Sequence, residues 1–172
     1  NKKPIGICCW NSDNDKTARI IPAESINRFL AEAAKPKYHG FGTADFAVAT
    51  LIDPTVRNYL GMDPSIKHGT YVSDVGNLAT GSDTLLPGDV ILSINGNSIN
   101  PYGRFDHKLF EKLDLQYIIN SSPIGSSLDC TIWRNNEKMN VKIPVKKALP
   151  ENMLVPTYLF DRKPQYIVTG GY

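Results

Sequence analysis

Residues 85–99, LLPGDVILSINGNSI, restrict the possible folds of this chain more than any other segment. A Pro-Gly-Asp turn, residues 87–89, leads into the short apolar run VILSI, and Asn95-Gly96 follows at once. Asn-Gly between β-prone runs is the strongest short-range hairpin signal, because both residues tolerate a positive φ. This stretch therefore predicts a short buried strand between two tight turns, which is typical of a small antiparallel β-structure.

The rest of residues 38–147 has the same pattern of short β-prone runs separated by turns. Asp53, Pro54 and Gly61 are typical of the N-cap, first turn and C-terminal end of a short helix. The other predicted elements are strands at 46–51, 70–75, 90–94, 128–134 and 137–145, and a second helix at 113–120. The predicted fold class is α+β and mostly β, a small barrel or sandwich of five to six strands capped by two helices.

An N-terminal strand–helix extension precedes this domain. Residues 4–10 are β-prone, and a polar turn separates them from a helix that begins near Pro22. Its apolar stripe is formed by Ile26, Phe29, Leu30 and Ala33. We assign 1–36 to the extension, 37–148 to the main domain and 149–172 to an apolar tail. We expect 154–172 to pack on the domain or on a neighbouring copy, because unpaired apolar strands associate.

Composition narrows the classes of function. Hydrophobic residues make up 41% of the 172 residues and charged residues 21%, with a net charge of +2. This is an ordinary globular composition, with no apolar run long enough for a membrane span and no basic cluster that favours nucleic-acid binding. The three cysteines (Cys8, Cys9 and Cys130) form no disulfide or metal-ligand pattern, and we expect them to be small buried hydrophobic residues. No cofactor is predicted.

Catalytic chemistry has little support in the sequence. Gly96-Asn97-Ser98 resembles part of a serine-protease nucleophile motif, but Ile99 follows it and the triplet lies in the predicted hairpin. We therefore assign no catalytic residue. His68 and His107 are expected to be solvated surface residues.

The order of elements from Tyr38 to Val145 resembles the PDZ domain of HtrA/Deg serine proteases. The similarity lies mainly in GTYVSDV and LLPGDVILSINGNSI, residues 69–75 and 85–99. Residues 5–30 are similar to the last strand and exit helix of that family's protease barrel. The excursion at 100–111 and the tail resemble plant-type Deg proteases and their bacterial relatives, in which the tail begins a second PDZ-like domain.

The resemblance implies a peptide-binding site without a metal or catalytic group. Tyr38-His39-Gly40-Phe41-Gly42 corresponds to the family's carboxylate-binding loop, in which backbone N–H groups hold the C-terminus of a peptide. His39 stands where an aliphatic residue is usual, and a protonated imidazole there would favour a carboxylate. On the facing helix, Leu115, Ile118 and Ile119 are expected to line a pocket, although such a stripe is also typical of plain core.

The implied function is recognition of substrate or regulatory C-termini for an HtrA/Deg-type serine endoprotease in protein quality control. This chain itself is not expected to be an enzyme, whereas its parent is expected to be a serine endopeptidase. Expected partners are protein or peptide C-termini, its own protease domain and a second PDZ-like domain, and the family's barrel-mediated trimers make homo-oligomerisation an option. Two alternatives stay open: a free-standing PDZ scaffold, and a hydrolase that uses Cys8 or Cys9. The bacterial members favour the cell envelope.

Overall fold

The computed structural model describes residues 4–12, 14, 16–38, 40–76 and 85–147. His39 and the tail lie outside these residues. The elements along the chain are β1 (Gly6–Ser12), β2 (Thr17–Pro22), α1 (Ala23–Ala33), β3 (Gly42–Thr43), β4 (Phe46–Ala49), α2 (Pro54–Tyr59), β5 (Thr70–Val75), β6 (Val90–Ile94), β7 (Asn97–Ser98), β8 (Arg104–His107), β9 (Glu111–Asp114), α3 (Gln116–Ser121), β10 (Ser127–Arg134), β11 (Glu137–Pro144) and β12 (Lys146–Lys147).

The central layer is an antiparallel sheet in the order β11-β10-β6-β5-β4, with β7 paired to β6. The Asn-Gly turn connects β6 to β7, and Asn95 and Gly96 both have positive φ, as the sequence predicts. Three two-stranded sheets accompany it among the described residues: β1 with β2, β3 with β12, and β8 with β9. The predicted class, α+β and mostly β with few helices, is confirmed.

One main hydrophobic core supports this layer. Every residue of β6 except Ser93 is buried, and Leu128, Ile132 and Val145 close the core from the C-terminal strands. A second, smaller cluster lies beneath α2, where Trp133 donates its indole N–H to the carbonyl of Leu60 at 3.0 Å. The main core places β4 and α3 near each other, which is where the candidate site lies.

Several sequence predictions need correction at the level of elements. The excursion at 100–111 contains most of a hairpin, β8–β9, whose second strand continues through Leu113 and Asp114, the first two residues of the helix predicted at 113–120. The helix begins only at Gln116, whose backbone N–H bonds the Asp114 carboxylate at 2.9 Å. In the extension, residues 17–22 form a second strand, and Pro22 is the extended N-cap of α1 rather than part of its first turn.

Predicted exposures also need correction. Cys8 and Cys9 are exposed, because the strand that contains them pairs only with β2 among the described residues. Only Cys130 is buried as expected, and burial raises the pKa of its thiol to about 12. His68 and His107 are half-buried rather than solvated. Desolvation by this burial lowers the pKa of His68, with Lys138 and Arg57 as smaller causes.

Candidate functional site

The loop before β3 contains a glycine whose backbone is in the left-handed region. Gly40 has φ +80, in the left-handed region, and a Cβ there would approach only the ring of Tyr38, at 4.0 Å. Tyr38 and Phe41 are exposed on either side of it. The loop is therefore open on the side of Gly40, and its shape depends on a glycine.

Gly42 fixes the loop against the rest of the domain. A Cβ at this position would lie 2.3 Å from Cγ1 of Val145 and 3.3 Å from the carbonyl oxygen of Ser122. The backbone at Gly42 pairs with Lys147, so β3 is held by β12 on one side and by the end of α3 on the other. No larger residue fits without moving one of these neighbours, which explains the second glycine of the motif.

β4 continues from this loop as the last strand of the central sheet. It pairs with β5 through Phe46↔Val75 and Ala49↔Tyr71, and no described strand pairs with its other edge. Phe46 and Val48 are half-buried against the main core. An edge strand of this kind offers backbone N–H and C=O groups to an added peptide strand.

α3 lies along β3 and β4 and runs in the opposite direction. Gly42 is next to the C-terminal end of α3, since a Cβ on Gly42 would lie 3.7 Å from the carbonyl oxygen of Ile119. At the other end, a Cβ on Gly103 would lie 3.5 Å from both Val48 and Leu115, so the start of α3 is close to the far end of β4. α3 therefore adjoins β3 at the loop and adjoins the end of β4 at the base of the β8–β9 hairpin.

The predicted pocket residues on α3 belong to the main core. Leu115, Ile118 and Ile119 are 3%, 8% and 1% exposed, and Leu115 precedes the helix as its N-cap residue. They lie in one apolar cluster with Phe46 and Val48. The structure thus brings the predicted helix residues close to the strand that follows the loop. Their role as pocket residues stays a prediction.

Two hydrogen bonds between α1 and the α3 segment hold α3 in place, and no sequence pattern indicates them. The Arg28 guanidinium donates to the carbonyl of Ser122 at 2.6 Å, at the C-terminal end of α3, where a cation is favoured by the helix dipole. The Tyr117 hydroxyl donates to the Glu24 carboxylate at 2.5 Å. The Phe29 ring also meets the Tyr38 ring edge-on, with centroids 6.0 Å apart. The extension is therefore fastened to α3 and, through Tyr38, to the loop.

The protonation state of Tyr117 suits this contact. Desolvation, followed by its hydrogen bond to Glu24 and the Glu24 charge, raises the pKa of Tyr117 to about 12. The phenol is consequently a neutral hydrogen-bond donor across the physiological range.

Other candidate groups lie apart from this site. Ser98 is exposed in β7, within the Asn-Gly hairpin. In the part of the chain that the structure describes, no cluster of three or more His, Cys, Asp or Glu side chains has metal-binding geometry. Nor does any described helix have the length and apolar character required to cross a bilayer.

Solved structures of the HtrA-type protease AlgW have similar folds. Its complex with a decapeptide matches with a TM-score of 0.54 and 21% identity, over 85% of this chain and 42% of AlgW. Its complex with a tripeptide matches with a TM-score of 0.58 and 20% identity, over 85% of this chain and 46% of AlgW. This chain spans less than half of those structures, and the likeness establishes an HtrA-like fold. No protein-family model matches the chain. No curated protein matches it either.

Proposed function

We propose that this chain is a PDZ module that binds peptide C-termini for an HtrA/Deg-type serine endoprotease active in protein quality control. The observation that supports this most directly is the position of the loop at 38–42. Gly40 is open and left-handed, and the loop continues into a strand edge that faces α3. A terminal carboxylate and an extended backbone are the ligand groups that such a loop and edge can bind together.

The N-terminal extension favours a protease-linked module over a free-standing scaffold. β1 and β2 form a two-stranded sheet that is exposed on both faces, and such a sheet is marginal in water on its own. Large apolar side chains are exposed along it and along α1: Ile5, Ile7, Trp10, Ile20, Ile21, Phe29 and Leu30. We propose that a protease barrel in the parent protein covers these residues, which we name the extension face.

In this proposal, proteolysis is carried out by the protease domain of the parent protein and not by this chain. This chain would select the C-terminus of a substrate or regulator, and the protease domain would cleave. Residues 149–172, outside the described part, would begin a second PDZ-like domain as their sequence resemblance implies. Residues 1–36 would be the end of the protease domain and its linker helix.

The proposal is tested with peptides that end in an apolar residue and are labelled at the N-terminus. We expect a roughly micromolar dissociation constant for the free acid, about −8 kcal/mol. The C-terminal amide should bind at least about tenfold more weakly, because a hydrogen bond to a charged group contributes about 1.5–3 kcal/mol. Equal affinity for acid and amide would contradict a carboxylate site.

A matched pair of glycine variants assigns the binding to the loop. Gly40→Ala and Gly96→Ala both force a side chain into a left-handed conformation, at φ +80 and +78. Each should therefore lose a similar stability, about 1–2 kcal/mol. Only Gly40→Ala should also weaken peptide binding, by about tenfold. If both variants keep wild-type affinity while folded, the carboxylate does not bind at this loop.

A further inference from the structure

The β8–β9 hairpin is an insertion whose base is part of the domain core and whose tip is exposed. Phe105 is buried in the main core, and the backbone N–H of Leu115 bonds the carbonyl of Gly103 at 2.9 Å. At the tip, Leu109 is 71% exposed, more than any other leucine in the described part of the chain. Leu109 is therefore an apolar side chain that the described part of the domain does not cover.

An aromatic cluster connects the hairpin to α3. The His107 ring stacks on Phe110 with centroids 5.2 Å apart, and it meets the Tyr117 ring edge-on at 5.6 Å. Phe105 lies 6.4 Å from Tyr117 beneath them. His107, Phe110 and Tyr117 are all half-buried, so the cluster has an accessible side. The hydrogen bond from the Tyr117 hydroxyl to the Glu24 carboxylate holds Tyr117 in place and so restricts the movement of the rings.

The hairpin joins the domain at the end of β4 that is away from the loop. A Cβ on Gly103 would contact both Val48 of β4 and Leu115 at the start of α3, so the base of the hairpin adjoins both elements. A peptide strand advances about 3.3 Å per residue. Val48 lies six positions after Gly42, so a ligand that pairs with β4 from a carboxylate at Gly40 would reach the base of the hairpin about six residues before its own C-terminus. A tripeptide would end well short of it.

We infer that the β8–β9 hairpin forms a second subsite that binds an aromatic or large aliphatic side chain about six residues upstream of the ligand's C-terminus. This inference rests on the proposed function of the loop. Leu109 and Phe110 would contact the ligand side chain, while His107 and Tyr117 hold Phe110 in position. The charges of the hairpin favour an apolar contact over an ionic one, since three cationic residues alternate with three acidic residues: Arg104, Asp106, Lys108, Glu111, Lys112 and Asp114.

The test compares three peptides with the same three C-terminal residues: the tripeptide, a decapeptide of otherwise Ala and Ser, and the same decapeptide with Phe at the sixth and seventh residues from the end. We expect the Phe decapeptide to bind about fivefold more tightly than the Ala/Ser decapeptide, the usual effect of one aromatic contact. Leu109→Ser with Phe110→Ala should remove that gain and leave tripeptide affinity unchanged. Tyr59→Ser, which changes an exposed tyrosine on α2, is the control and should keep the gain.

The outcomes separate the inference from the function on which it rests. Equal affinity of the two decapeptides, or a gain that survives the hairpin double variant, overturns the subsite but leaves the loop intact if acids still bind better than amides. A double variant that weakens all three peptides equally also overturns it, because the hairpin would then act only on the fold. Failure of every peptide to bind contradicts both proposals.

Discussion

Asp89 shows why the Gly-Asp turn precedes the central strand. Its side chain is 2% exposed and accepts hydrogen bonds from the backbone N–H of Leu86 and from two nitrogens of Arg134, all at 2.7 Å. The hydrogen bond with Asp89 also raises the pKa of Arg134, with burial opposing it. The carboxylate thus closes the turn and ties it to the end of β10, so a single residue orders two segments of the core.

Replacement of Asp89 by Asn should therefore lower the free energy of unfolding far more than an ordinary surface substitution does. Removal of one partner of a buried pair costs about 3–5 kcal/mol, because the other charge is left uncompensated. Urea unfolding should show this loss as a lower midpoint.

Asp129→Asn is the matched control, since Asp129 and Lys142 form a pair that is about three-quarters exposed on both sides. It should change stability by less than about 1 kcal/mol. Equal losses in the two variants would mean that the Asp89 pair contributes no more than a surface pair.

The helices and turns that can be predicted from the sequence are those specified by adjacent residues. The Asn-Gly hairpin, the Asp53-Pro54 start of α2 and the apolar stripe of α1 are all local signals, and the structure has each element. The α1 stripe is not buried among the described residues, however. The β8–β9 hairpin and the late start of α3 were not predicted, because they depend on contacts such as Phe105↔Leu113 and on core burial. The bond between Glu24 and Tyr117 joins residues 93 positions apart, so no local pattern indicates it.

This contact between α1 and α3 should give stability a distinctive dependence on pH. The pKa of Tyr117 in the folded chain is about 12, above the ordinary value of 10.0. The neutral phenol is therefore favoured by folding, and its contribution is fully present below pH 10 and lost as the pH rises from about 10 through about 12. Tyr117→Phe should be less stable than wild type at pH 8, and the difference should shrink across that window. The measurement is urea unfolding as a function of pH.

Tyr59→Phe serves as the control for this series, because Tyr59 is 89% exposed on α2. It should match wild type at pH 8. A constant difference between wild type and Tyr117→Phe from pH 8 to pH 12 would show that the phenol does not contribute through its proton. It would then act only through packing against Phe105 and His107.

The N-terminal extension and the domain that follows it have opposite surface characters. The apolar side chains of the sheet around β6 are buried in a core, whereas the apolar side chains of the extension face are exposed on β1, β2 and α1. α1 belongs to both parts, since it contributes Phe29 and Leu30 to that face and Glu24 and Arg28 to the contacts with α3. Whatever covers the extension face therefore lies one helix away from the wall of the proposed peptide groove.

An exposed face of this kind should make the separate chain associate with itself. We expect a concentration-dependent rise in mass by sedimentation or light scattering, because covering one large aliphatic side chain stabilises a complex by about 1.5–3 kcal/mol. Leu30→Glu should weaken association about tenfold or more while keeping α1, since Glu is a good helix former. Leu109→Glu places the same charge on an equally apolar residue of the β8–β9 hairpin and should leave association unchanged.

A wild-type chain that stays monomeric at high concentration, or an equal effect of the two variants, would contradict the role assigned to the extension face. Peptide binding by the Leu30→Glu monomer should remain at the wild-type level, because the Glu24 and Arg28 contacts with α3 are untouched.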